Sequence, residues 1–169
     1  MTTENTIRWT SLSTPIGAVV IIVGPRGVLG IGLRSDDPEH DAHRAEPTAV
    51  RDDAGLAPIA GVLSDLIDGK RRDFPYPLDI SGGTSFQKTV WTALRDIPYG
   101  TTLTYGELAA RIGKPNAARA VGQAVGVNPL PVVIPCHRVL ASGGALGGFT
   151  GGLDIKRHLL RVEGISFRE

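Results

Sequence analysis

The sequence predicts an α+β protein: a small β-sheet with a helix in the first 80 residues, then a mainly helical second part. Three observations carry this expectation. Ala18 to Val23 is a nearly unbroken apolar run closed by Gly24-Pro25-Arg26-Gly27, which is how a buried strand entering a hairpin reads. Phe86, Val90, Leu94 and Ile97 recur at helical spacing. Thr104 and Glu107 stand in a capping-box relation ahead of a further helical stretch.

Taken in order, residues 6 to 34 read as short strands separated by turns, with Val28 to Leu33 as the returning strand. Ser35 to Asp53 is acidic and polar without periodicity and reads as a mobile loop. Leu56, Ile59, Leu63, Leu66 and Ile67 define a helix that Gly69 stops. Lys70 to Thr84, with Phe74-Pro75-Tyr76-Pro77 inside it, reads as an extended crossing segment. The boundary between an N-terminal domain, 1–80, and a C-terminal domain, 81–169, is placed near its end.

In the second domain Pro98-Tyr99-Gly100 ends the first helix. The next helix should run from Tyr105 to about Ile112 and break at Gly113-Lys114-Pro115, with Asn116 able to cap the helix AARAVGQAVG. Two short helices around a tight turn read as a helix-turn-helix. Ala117, Ala118, Ala120, Gly122, Ala124 and Gly126 leave Arg119 and Gln123 as the only long side chains of the second. Such small residues suit close approach, either to a neighbouring helix or to a nucleic-acid backbone with Arg119 projecting. Ile155, Leu159 and Val162 face inward on a last helix that should end near Gly164.

Composition excludes several classes. The chain has one cysteine in 169 residues, too few for an internal disulfide or a cysteine-rich zinc site. No stretch is long and apolar enough to span a bilayer, and the start MTTENTIRWT lacks a signal-peptide pattern. A cytoplasmic protein with no membrane contact is expected. Net charge is +1, but unevenly placed: residues 1–80 carry 8 Lys and Arg against 12 Asp and Glu, and residues 81–169 carry 10 against 5. A basic second half suits a polyanion such as DNA.

The single thiol lies in IPCHRV, between Pro135 and His137. A free thiol has a pKa near 8.5, so only a small fraction is thiolate at neutral pH and a nearby base would raise it. His137 is the adjacent candidate, although neighbours in an extended segment point to opposite faces. A bent backbone or a bridging water would be needed. Glu163 falls on or beside the apolar face of the last helix, at the C-terminal end, where the helix dipole disfavours an anion. It wants a cationic or hydrogen-bond-donating partner: a salt bridge to Arg138 or Arg161, or a bond that fixes the tautomer of His137.

PCHRV, with RAVGQAVGVNP upstream and GGFTGGLDIKRHLLRVEG downstream, resembles the O6-alkylguanine-DNA alkyltransferases, also called methylated-DNA–protein-cysteine methyltransferases. Several separated blocks match in order from Gly83 to Gly164, and the first half fits that family's strand-and-helix domain by position. The resemblance implies DNA repair by direct reversal on double-stranded DNA bearing O6-alkylguanine, with O4-alkylthymine as a further substrate. It implies no cofactor, no obligate protein partner and one turnover per molecule. Cys136 would be the alkyl acceptor, His137 would act on the thiol through a water, and Glu163 would stand behind it. Asn128 would shape the active-site turn, and the Tyr105 hydroxyl would help protonate the leaving base. Arg119 would enter the duplex in place of the extruded nucleotide, with Gly106, Ala117, Ala118, Gly122 and Gln123 against the DNA. Pro131, Val139, Phe149 and Thr150 would surround the flipped base.

Two departures accompany the resemblance. Phe149 stands where family members can carry a tyrosine, which removes a hydroxyl. Some relatives hold a structural zinc in the first half; here only His40 and His43 are available beside carboxylates, and no metal is expected. Rival readings are a non-catalytic sensor of alkylated DNA, a cysteine hydrolase and a transcription regulator. Cys136 argues against the first. The awkward Cys-His adjacency argues against the second, and the scarcity of base-reading side chains against the third. DNA binding is expected to tolerate sequence and to weaken with salt.

Overall fold

The structure, a computed structural model, describes residues 5–169. These fall into two compact units that divide between Ile80 and Ser81.

The first unit is built on a four-stranded sheet in the order β3-β2-β1-β4. β1 (Arg8–Thr14) and β2 (Gly17–Gly24) pair antiparallel from Arg8 opposite Val23 to Thr14 opposite Gly17. β3 (Gly27–Gly32) returns along β2 through the turn at Pro25-Arg26. The apolar run of β2 does not alternate with polar residues because both faces of the strand are covered: Val19 to Val23 are all buried. The outer edge of β3 is sealed by the crossing segment, where Val28 donates to the Pro77 carbonyl and Asp79 donates to that of Val28.

The acidic segment 35–53 is not the mobile loop its composition suggests. It contains helix α1 (Pro38–Ala45) and a short strand β4 (Val50–Arg51) that pairs parallel with β1. Asp37 caps α1 by accepting from the His40 amide. Pro38 opens the helix, acidic residues fill its first turn and basic ones its last. Such a helix is specified by its ends and needs only one buried residue, Ala42. Within this segment the His43 ring meets Trp9 edge-on, and its Nε2 bonds the Ala49 carbonyl. The expected helix after Leu56 is α2 (Ala57–Ile67), which buries Leu63 and Ile67.

The second unit starts with α3 (Ser85–Arg95), closed at its N-terminus by a Thr84–Gln87 capping box, with Val90, Trp91 and Leu94 buried. A two-residue strand β5 (Leu103–Thr104) runs directly into α4 (Tyr105–Arg111), whose predicted Thr104–Glu107 capping box is present. α5 (Ala118–Gly126) follows and packs against α4 and α3; Trp91 Nε1 donates to the Ala124 carbonyl. Asn116 is not its cap, since the N-cap position is Ala117, with no side-chain cap. β6 (Val139–Leu140) pairs parallel with β5, placing Leu103 beside Val139 and Thr104 beside Leu140. That small ladder fixes the start of α4 next to the turn carrying the cysteine. α6 (Leu153–Val162) ends at Glu163 and buries Ile155, Lys156, Leu159 and Leu160. Residues beyond it fold back: Arg168 donates to the Gly144 carbonyl, Leu146 donates to that of Arg168, and Ile165 and Phe167 pack on Leu140, Leu146 and Leu160.

Candidate active site

The adjacency of Cys136 and His137 is resolved by the backbone. Cys136 to Arg138 form one turn of 3-10 helix, not an extended segment, so the side chains are not thrown to opposite faces. The Cys136 amide donates to the Ile134 carbonyl, and Arg138 donates to that of Pro135. Both Cys136 and His137 are buried.

Upstream, Asn128 holds the chain that delivers the cysteine. Its Nδ2 donates to the Ile134 carbonyl at 2.8 Å, and its Oδ1 accepts from the Leu130 amide at 2.9 Å. One side chain thus spans a loop that has little regular structure of its own. Within it Val132 sits at φ 76°, a left-handed conformation that a β-branched residue adopts only when its surroundings impose it. Pro131, beside it, is half-buried.

Glu163 accepts four hydrogen bonds from three donors. His137 Nε2 bonds its Oε2 in a short contact, and the Gly100 amide donates to Oε1 at 2.8 Å. Arg138 Nε donates to both oxygens, at 2.8 and 3.1 Å. The alternatives open for Glu163 are therefore satisfied together, with Arg138 and not Arg161 as the ion-pair partner. Burial pushes the Glu163 carboxyl up, but the bonds from His137, Gly100 and Arg138 outweigh this and hold it below the usual carboxylate range. Burial lowers the His137 ring, against the raising effect of Glu163 and with the help of the nearby cations Arg138 and Lys156. The ring's other nitrogen, Nδ1, is buried with no hydrogen-bond partner among the described residues.

The thiol of Cys136 is pushed up by burial and pulled back by the Asn128 amide and the Lys156 charge. Lys156 is the residue of this site that the sequence did not single out. It is fully buried, and its Nζ donates to the carbonyls of Val139 at 2.7 Å, Leu146 at 2.5 Å and Gly148 at 3.1 Å. Burial lowers its pKa to about 8, so it remains largely a cation at neutral pH. The available signal was spacing. Lys156 stands three and four residues before the apolar Leu159 and Leu160, on the same face of α6, which makes it a buried lysine.

Tyr105 occupies the first position of α4, half-buried, its hydroxyl raised by burial and by the nearby thiol. Its ring lies between two glycines. A Cβ on Gly122 of α5 would stand 3.7 Å from one edge, and one on Gly147 would stand 3.3 Å from the other. Gly147 also has φ 69°, so the loop can pass this close to the ring only with glycine there. Val139 is fully buried, Phe149 is half-buried, and Thr150 is exposed and donates to the Gly126 carbonyl at 2.6 Å. That bond ties the loop before α6 to the end of α5.

Cys136, His137, Glu163, Asn128 and Tyr105 thus converge around one turn, with Val139 following it. Of the residues assigned to DNA, Gly122 lies against the Tyr105 ring and Gly106 follows Tyr105, exposed on α4; Arg119 and Gln123 are exposed on α5, and Ala117 and Ala118 are half-buried. Among the described residues no three His, Cys, Asp or Glu side chains gather as a metal-holding group.

The family model for 6-O-methylguanine DNA methyltransferase, DNA binding domain, matches residues 85–165. The constitutive methylated-DNA–protein-cysteine methyltransferase of Bacillus subtilis is 37% identical over 162 residues, covering 95% of this chain and 98% of the relative. The inducible enzyme of that organism is 46% identical over 114 residues, 68% of this chain and 63% of its own length. Among solved structures, Mycobacterium tuberculosis OGT in complex with DNA superposes with a TM-score of 0.80 at 35% identity, covering 92% of each chain. With relatives this similar along nearly its whole length, the chain belongs to the methylated-DNA–protein-cysteine methyltransferase family.

Proposed function

We propose that this chain repairs alkylated DNA by direct reversal, moving the alkyl group of O6-alkylguanine, and of O4-alkylthymine, onto Sγ of its own Cys136. Family membership supports the reaction. The observation that carries the assignment to residues is the Cys136–Arg138 turn, where the only thiol is followed by a buried His137 bonded through Nε2 to an ionised Glu163.

A proton held on Nε2 by Glu163 leaves the Nδ1 lone pair as the acceptor. The thiol proton leaves Sγ for that nitrogen through a water, and the thiolate attacks the alkyl carbon opposite the base oxygen. The sulfur–carbon bond forms as the carbon–oxygen bond breaks, and its electron pair passes into the leaving base, which the Tyr105 hydroxyl helps to protonate. Lys156 offsets the thiolate charge before transfer. A thioether neither hydrolyses nor exchanges readily, and the chain has no second cysteine to restore the first. Each molecule acts once.

The alkylated base is stacked inside a duplex and must be turned out to meet a buried sulfur. Arg119 on the exposed side of α5 fills the space left behind, and α4 and α5 act as the helix-turn-helix. Pro131, Val139, Phe149 and Thr150 form the walls around the base. Among the described residues no helix is long and apolar enough to cross a membrane. We place the work in the cytoplasm, on the nucleoid in a bacterial cell, where a free thiol stays reduced.

The test is intact and peptide mass spectrometry after mixing the protein with excess duplex carrying one O6-methylguanine. One methyl on the peptide bearing Cys136, saturating at one per protein, is the expected result. DNA bound with no methyl transferred would make the chain a damage sensor instead. Neither binding nor transfer would return attention to a hydrolase.

A further inference from the structure

We propose that Arg138 is a positioning residue that keeps His137 neutral by matching the charge of Glu163 itself. The inference deepens the reading above and rests on His137 acting as the base.

Glu163 has one negative charge and two neighbours able to balance it. Arg138 is a permanent cation, and its Nε spans both carboxylate oxygens. It is itself fixed: Nη1 donates to the Ile97 carbonyl at 2.7 Å, and the guanidinium lies 5.4 Å from the centre of the Tyr99 ring. Tyr99 is anchored in turn by its hydroxyl, which donates to the Val162 carbonyl at the end of α6. Arg138 therefore cannot swing away when His137 takes a proton.

The groups that face His137 set the sign. Glu163 at the end of α6 favours the imidazolium; Arg138 in the same turn and Lys156 on α6 disfavour it, as burial does. Cys136 is the group whose proton is to be removed. With the carboxylate already matched by Arg138, an imidazolium would add a third cation beside Arg138 and Lys156. The hydrogen bond to Glu163 then serves to hold the proton on Nε2. Without Arg138 the same carboxylate would favour the charged ring, and the base would be lost at a higher pH on acidification.

Two measurements decide this. Long-range proton–nitrogen NMR of the unmodified protein should show His137 neutral at pH 7, with the proton on Nε2. A protonated ring or the opposite tautomer at that pH overturns the proposal without any variant. Single-turnover methyl transfer between pH 5.5 and 9 should then show the acid limb of Arg138→Met displaced upward. A displacement of about one unit lowers the rate severalfold at the acid end of that range, approaching about tenfold once the pH is below both limbs, and the rates should converge at pH 9. Arg138→Lys, which keeps the charge, should restore most of the original profile. An equal fall at every pH, with His137 titrating as before, would make Arg138 only a structural tie. A wild-type rate with no acid limb would instead remove His137 as the base, while its NMR titration would still report whether Arg138 sets its charge.

Discussion

In the first unit Arg51 meets Asp53 and Arg71 meets Asp73, two residues apart on the chain and open to water. In the second unit Glu163 meets His137 and Arg138 across 26 and 25 residues of sequence, with the carboxylate 3% exposed. Both units contain ion pairs at hydrogen-bonding distance, yet their physical weight differs. The exposed pairs exchange water for protein at almost no net gain. The buried set has no water to fall back on, so removing one member leaves the others unmatched. Distance is therefore a poor guide to what a charge does in this protein, and burial a good one.

That contrast is open to attack. Glu163→Gln keeps the volume but leaves Arg138 without its counter-charge and loosens the tautomer of His137. Single-turnover methyl transfer should slow by about 100-fold or more, in the range of losing a general base. A loss under threefold would mean that the buried cluster has no more influence than an exposed pair. Lys156→Met removes the donor to the carbonyls of Val139, Leu146 and Gly148 while preserving the shape of the side chain. Urea unfolding should show a loss on the order of 3 kcal/mol, and an unchanged midpoint would deny the lysine its structural part.

A smaller effect is expected from pH. The folded His137 resists protonation, whereas an unfolded histidine takes its proton near pH 6.5. Its share of stability is complete above that pH and is lost as pH falls toward the folded value. The Glu163 carboxyl, held low in the fold, adds a loss of the same sign below about pH 4.3. The urea midpoint should therefore fall between pH 7 and pH 5, and His137→Gln should flatten that slope. A midpoint that rose on acidification would mean the ring is charged in the fold. The smallest effect belongs to the first unit: Arg71→Ala should change neither the urea midpoint nor the transfer rate detectably.

The parts of the fold legible in the sequence are those written in local chemistry. The Thr104–Glu107 box, the Gly24-Pro25-Arg26-Gly27 turn and the spacing of Val90 and Leu94 each specify an element within a few residues. α1 escaped because a helix with one buried residue has almost no apolar period, and its signal lies in Asp37, Pro38 and the sign of its end charges. Asn116 was the reverse case, a good capping residue overruled by the turn that precedes it. At the site, Cys136, His137 and Glu163 stood out as residue types, while their geometry did not. No spacing rule distinguishes an extended Cys-His pair from one on a 3-10 turn. Lys156 was hidden for a different reason: a lysine is ordinarily read as surface, and only the fold shows three carbonyls converging on it.

The strand-like return of residues 165–168 has a practical consequence for proteolysis. Leu146, whose carbonyl receives Lys156, is itself held by the Arg168 carbonyl, and Arg168 is held by that of Gly144. A protease that trimmed the chain back to Gly164 would remove none of Cys136, His137 and Glu163, yet it would release the loop on which the lysine closes. Repair activity should then vanish with the last few residues while Cys136 remains intact and countable by thiol titration. A cell extract could in this way hold full-strength thiol and little repair.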